Sequence, residues 1–181
     1  MLKKILIALA VVVAGLAVVI ALQPSEFSVR RTATIAAAPA EVFPHVNDFH
    51  NWDAWSPWAK LDPKSKVAFE GSPSGQGAVF KWSGNDDVGE GSMTIVESQP
   101  AKQVRIKLAF VRPFESTADT VFDFSPAGGG TTVTWTMSGR NDNFLAKAFC
   151  LVMGGPDRMV GPDFDRGLAQ MKAVVEKKGK G

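Results

Sequence analysis

The sequence predicts an α+β domain: an antiparallel β-sheet with one apolar face, covered by an amphipathic C-terminal helix and preceded by one apolar N-terminal helix. Three observations predict it. Residues 5–22 carry no charged or strongly polar side chain. Between residues 67 and 138, six segments alternate apolar with polar side chains, and turn residues separate them. Near the C-terminus Val160, Phe164, Leu168, Met171 and Val175 recur at helical spacing, with Asp165, Arg166, Gln170 and Lys172 between them.

The N-terminal run follows Lys3 and Lys4. As a helix it spans roughly 27 Å at ~1.5 Å per residue, close to the ~30 Å hydrocarbon core of a bilayer. It has no polar face, unlike a helix on a soluble core. Two readings follow: an uncleaved anchor, or a signal peptide cleaved near Val19-Ile20-Ala21. The run exceeds the usual ~7–15-residue signal core, which favours the anchor. The two lysines favour a cytoplasmic N-terminus. The domain then lies outside the cytoplasm, periplasmic or extracellular, and is secreted if the segment is removed. Pro24 cannot continue the helix. The chain therefore divides into 1–24, anchor or signal with exit linker, and 25–181, the folded domain.

Composition narrows the function. Apolar residues make up 45 % and charged residues 21 %, a globular balance. Without Lys3 and Lys4, eighteen basic residues face eighteen acidic ones. The folded part thus lacks the basic excess of a nucleic-acid binder. The basic end, residues 176–180, reads as a solvated helix terminus. Cys150 is the sole cysteine, so neither an internal disulfide nor a Cys-cluster metal site is available.

The first strand covers residues 26–36, with Val29, Ala33 and Ile35 on one face. Ala38-Pro39-Ala40-Glu41 opens a helix, since proline suits a first turn, and Val42, Phe43 and Val46 give it an apolar side. Residues 48–58 form a tryptophan-rich helix or turn. The six strands follow at 67–70, 78–83, 92–97, 104–110, 116–124 and 131–138. Short connections make them a meander. Residues 143–153 read as a further helix. Pro162 should start or kink the last one.

Strand parity assigns the inner face to Phe80, Trp82, Met93, Ile95, Ile106, Leu108, Phe110, Thr120, Phe122, Phe124, Trp135 and Met137. The helix adds Phe164, Leu168 and Met171. Gly89 and Gly91 share this parity and leave room. Such a lining suits a hydrophobic ligand, and the same residues would also fill a core. Trp55, Trp58, Pro113 and Phe114 are candidates for the cavity rim. The tryptophans could equally touch a membrane interface or pack the short helices on the sheet.

Catalytic groups are sparse. General acid–base chemistry needs a positioned His, Asp, Glu, Lys or Tyr, and the chain has no tyrosine. Lys81, Arg105, Lys107, Asp119 and Asp123 fall on the outer parity. Ser116, Thr120 and Arg31 are the inward polar groups. His45, Asp48, His50 and Asp53 lack useful metal spacing and read as an exposed helix edge. The loop 71–77 lacks the Gly-Lys-Ser/Thr of a phosphate cradle. Cys150 reads as a small buried residue. No cofactor or metal is expected.

Several motifs occur in a telling order. Arg31-Thr32-Ala33-Thr34-Ile35-Ala36 runs into Ala38-Pro39-Ala40-Glu41-Val42-Phe43. Asn47-Asp48-Phe49-His50-Asn51-Trp52 leads to Trp55-Ser56-Pro57-Trp58. Gly75-Gln76-Gly77 precedes a strand. Gly130-Thr131-Thr132-Val133-Thr134-Trp135 and Gly167-Leu168 come later. Across about residues 26–177 this order resembles the START-like, or SRPBCC, superfamily, which includes the birch-pollen allergen and the bacterial polyketide cyclase/dehydrase group. The resemblance implies a helix-grip fold, in which a seven-stranded antiparallel sheet wraps a long C-terminal helix around a cavity. Members bind lipids, sterols or polyketides, and a minority are enzymes. The function expected is a membrane-tethered binder or carrier of a hydrophobic small molecule. One alternative is a cyclase, hydratase or lyase using Arg31 or Thr120. Another is an envelope module that binds an unidentified protein partner.

Overall fold

The computed structural model describes residues 1–140 and 143–178. The part of the basic tail beyond residue 178 lies outside the described residues.

Helix α1 (Leu2–Ala21) is long and apolar enough to cross a membrane, a test that a signal sequence also passes. Strand β1 (Glu26–Ile35) follows. Then come two single-turn helices, α2 (Pro39–Val42) and α3 (Pro44–Asn47), and a 3-10 helix (Phe49–Ala54). Proline opens both α2 and α3, where its missing N–H costs nothing. Val42, Val46, Phe49, Trp52 and Trp55 from this segment are all buried.

Strands β2 (Lys66–Gly71), β3 (Ala78–Ser83), β4 (Glu90–Gln99), β5 (Gln103–Arg112), β6 (Ser116–Ala127) and β7 (Gly130–Arg140) form an antiparallel meander. The seven-stranded order is β1-β7-β6-β5-β4-β3-β2, so β7 returns beside β1 and β2 is an edge. The register lays the inner face out in rows. Nearest the β1 start run Val67, Trp82, Gly91, Phe110 and Ser116. Next come Phe69, Phe80, Met93, Leu108 and Ala118. Ile95, Ile106, Thr120, Met137 and Val29 form a third row, and Val104, Phe122, Trp135 and Arg31 a fourth. On the outer face opposite charges meet across strands, as in Lys107–Asp119 and Arg105–Glu97.

Two register shifts in the β4–β5 pair break simple alternation, one between Glu90 and Gly91 and one between Ile95 and Glu97. Each marks an extra residue that increases twist and bends the sheet. The sheet curls toward helix α5 (Pro156–Lys178), which follows the short helix α4 (Phe144–Val152). Together they form a helix-grip α+β fold. Pro162 neither starts nor ends α5, which begins six residues earlier and runs through it. The cost is local: proline offers no N–H to the carbonyl of Arg158.

Helix α5 packs chiefly on β1, not across the middle of the sheet. Polar ties hold it there. The Arg31 guanidinium donates two hydrogen bonds to Asp157, at 2.8 and 3.0 Å, and its Nε donates to Asp165 at 3.1 Å. Gly161 lies against this guanidinium, and a Cβ there would run into it. Farther along, Lys172 Nζ donates to the Thr34 carbonyl and the Ala36 N–H donates to Glu176, both at 2.8 Å.

The Arg31 hydrogen bonds hold the Asp157 carboxyl below its ordinary value. A carboxyl depressed by folding stabilises the fold above its unfolded pKa and loses that contribution as pH falls through the lowered value. The stability difference between the native chain and Asp157→Asn should therefore be present at neutral pH and shrink progressively below about pH 4. Denaturant midpoints measured against pH test this. Asp157 is exposed, so added salt should reduce the difference as well.

Candidate functional site: an apolar trough at one end of the sheet

The expected lining separates into two groups. Ile95, Ile106, Leu108, Phe122, Phe124, Trp135, Met137, Phe164, Leu168 and Met171 are buried in one continuous core. Phe80, Trp82, Met93 and Phe110 are only partly buried against its edge. The reason is the placement of α5: it is tied to β1 between Arg31 and Ala36, so it covers that end of the inner face and leaves Phe80, Trp82, Met93 and Phe110, in the rows nearest the β1 start, only partly covered.

In the core, the Trp135 ring stacks on Phe164 at 3.9 Å and 6°, and on Phe122 at 4.8 Å. Trp55 and Trp58 meet Trp135 edge-on at 5.7 and 5.9 Å. Such contacts add to the stabilisation from burial alone. Trp55 therefore does not sit on a rim. It is fully buried, because the 3-10 helix turns it inward and its indole N–H donates to the His45 carbonyl at 2.8 Å. Trp58 is half-buried and caps the Trp135–Phe164 stack. His45 is buried as well, not on an exposed helix edge. Thr120 is buried between Ile106 and Met137. The Trp135 Nε1 is buried without a hydrogen-bond partner, and a buried donor left unsatisfied costs ~1–3 kcal/mol.

The open group forms a trough. Its wall is an aromatic ladder: Phe69 against Phe80 at 5.4 Å, Phe80 stacked on Trp82 at 6.1 Å, and Trp82 edge-on to Phe110 at 5.9 Å. Phe49 closes one end at 6.0 Å from Phe80. Val67 and Phe69, 55 % and 43 % exposed, extend the apolar surface to the sheet edge. They alternate with Ala68 and Glu70 along β2. Gly91 does not leave a void: a Cβ there would come within 2.7 Å of the Trp82 ring, so the indole occupies that space. The Trp82 N–H donates to the Val88 carbonyl at 2.9 Å, which fixes the ring. Pro113 and Phe114 lie at the β5–β6 tip, and Phe114 touches Phe149 of α4 at 5.9 Å.

The fold also has recesses. One of about 360 Å³ lies at the β2–β4 edge, among Lys81, Ser83 and Ser92 and also Val67, Trp82 and Gly91. One of about 320 Å³ lies between the 3-10 helix and α5, at Asp53, Pro57 and Gln170. Trp82 of the expected lining borders the first and none of that lining borders the second; its accessible part is the trough. Arg31 is engaged by two aspartates. His50 pairs with Asp48 at 2.8 Å and stacks on Phe69. Among the described residues no three His, Cys, Asp or Glu side chains gather as metal ligands.

A curled antiparallel sheet gripping a C-terminal helix, with an apolar inner face, defines a START-like helix-grip domain. The chain belongs to the family described as polyketide cyclase / dehydrase and lipid transport, whose profile matches residues 26–176. Among curated proteins none matches. Solved structures resemble it at low identity. Protein CV1439 from Chromobacterium violaceum is 16 % identical with a TM-score of 0.59, over 82 % of this chain and 96 % of that one. Ara h 8.0201 is 13 % identical with a TM-score of 0.60, over 84 % and 99 %. DynU16, from the dynemicin biosynthetic locus, is 15 % identical with a TM-score of 0.53, over 82 % and 47 %. At such identities the likeness is one of fold.

Proposed function

We propose that this protein is a membrane-tethered domain that binds or carries a hydrophobic small molecule, a lipid or polyketide-like compound, along the trough formed by Phe80, Trp82, Met93 and Phe110. Residues 1–24 serve as anchor and linker, and residues 25–181 as the binding domain. The observation that carries this reading is the incompletely covered end of the inner face. Phe80, Trp82, Met93 and Phe110 are partly buried at the core's edge and adjoin the exposed Val67 and Phe69, which together make an aromatic-walled apolar surface. Partly exposed aromatic and methionine side chains are adaptable contacts for apolar ligands. Membership of a family that includes lipid transport agrees with it. The trough walls are apolar, which suits recognition more than proton transfer. The packing of α1 against α4, with Ile20 buried near the end of α1, supports retention of α1 as an anchor.

Native mass spectrometry of the intact, detergent-extracted chain tests the reading. The expected result is uncleaved mass together with a co-purifying apolar molecule, or saturable uptake of a fluorescent fatty acid that quenches tryptophan emission. A chain that carries nothing and takes up no apolar probe overturns the binding reading. Loss of the first twenty or so residues from the mature mass overturns the anchor.

A further inference from the structure

Helix α4 has no evident role in holding the domain together, and its composition is wrong for a water-exposed surface. It buries none of its residues. Phe144, Leu145, Phe149, Leu151, Val152 and the following Met153 are all exposed, Leu145 to 66 % and Val152 to 84 %. The helix contains no acidic residue, and its only charge, Lys147, donates to the Gln23 carbonyl at 3.0 Å. A helix on the surface of a soluble domain turns a polar face outward, and α4 turns an apolar one.

Position adds a second, independent observation. Helix α4 packs against α1, and its tie to Gln23 places it where the apolar run of α1 ends. The β5–β6 tip joins it there through Phe114 and Phe149. The sheet register fixes what else lies at this end. Glu26 at the start of β1 pairs with Arg140 at the end of β7, and Gly139 pairs with Ala118 near the start of β6. Phe110 pairs with Ser116 and Gly91, and Gly91 with Trp82. The row bearing the open trough therefore lies at the end of the sheet from which α1 departs.

We propose that α4, with the Phe114 tip, rests in the interfacial layer of a lipid bilayer and turns the mouth of the trough toward the membrane, so that the apolar ligand enters from the lipid phase. This rests on the reading of α1 as a retained anchor. The apolar surface of α4 is continuous with α1, and that continuity selects lipid as its occupant over a protein partner or a second copy. A short interfacial helix alone binds weakly, since affinity scales with its buried apolar area. Attachment to a spanning helix makes that binding intramolecular and raises its effective concentration.

The test uses the full chain with Cys150→Ser, reconstituted into vesicles of phosphatidylcholine and phosphatidylglycerol. A nitroxide is placed singly at V152C, at L16C within α1, or at K102C on the exposed turn at the far end of the sheet. The expected result is that V152C, like L16C, loses access to an aqueous nickel chelate and gains access to oxygen, while K102C stays open to the chelate. If V152C remains as accessible to the chelate as K102C while L16C is in lipid, the proposal is overturned and the anchor stands. If L16C is itself aqueous, the anchor reading falls, and the proposal with it. A V152C label shielded from both reagents marks a protein occupant, and dipolar broadening a second copy. Either overturns the proposal.

Discussion

Phe164→Ala should destabilise the domain by ~3–5 kcal/mol, the usual cost of emptying a buried aromatic site. That is a large part of the ~5–15 kcal/mol that holds a typical domain. Phe164 carries the main aromatic contact between α5 and the sheet, stacked on Trp135 at 3.9 Å and met by Trp58 at 6.3 Å. Its removal leaves Trp135 with one bare face and a void that the stiff rings around it cannot collapse to fill. Urea denaturation of the full chain in detergent, followed by near-ultraviolet circular dichroism of the tryptophans, would measure the shift in midpoint. Phe149→Ala makes the matching control. Phe149 is 41 % exposed, so its loss should cost no more than about 0.5 kcal/mol. Similar costs for the two substitutions would show that the stack does not bind α5 to the sheet.

The second large effect concerns the ligand. Met93→Glu should weaken uptake of an apolar probe by at least about tenfold, or ~1.4 kcal/mol, while leaving the fold intact. Met93 lies in the trough between Phe80 and Leu108 in register and is only partly buried. The free protein can therefore hydrate the new carboxylate, whereas a bound apolar molecule strips that water away. The effect should reverse with acid. A carboxyl facing apolar surface titrates above its ordinary value, so binding to Met93→Glu should recover as pH falls and the group becomes neutral. Met93→Leu should bind nearly as the native chain does. Fluorescent fatty-acid titrations across pH would separate these outcomes, and unchanged uptake by Met93→Glu would place the ligand elsewhere.

Much of the fold was legible because strand parity and helical spacing are local signals. The meander and the inner-face residues from Phe80 to Met137 follow from alternation, and the C-terminal helix from its helical spacing. What alternation could not show is which inner residues are covered. That depends on where α5 docks, and its docking is fixed by contacts such as Arg31 with Asp157 and Asp165, far apart in sequence. The extra residues at the two β4–β5 register shifts were hidden too, since a bulge has no composition of its own. For Trp55, composition left the cavity rim, a membrane interface and packing of the short helices on the sheet all open. The structure sends Trp55 and Trp52 inward and leaves Trp58 half-buried. Helix α4 was visible as a helix, but only its contact with α1 gives its exposed face a meaning.

The connection between α1 and β1 is four residues, 22–25. Fully extended, it reaches no more than ~14 Å. With α1 retained as the proposed anchor, the domain is held on too short a leash to ferry cargo across an aqueous compartment to another membrane. It can serve as a docking station at its own leaflet, and any onward delivery requires a mobile acceptor to come to it.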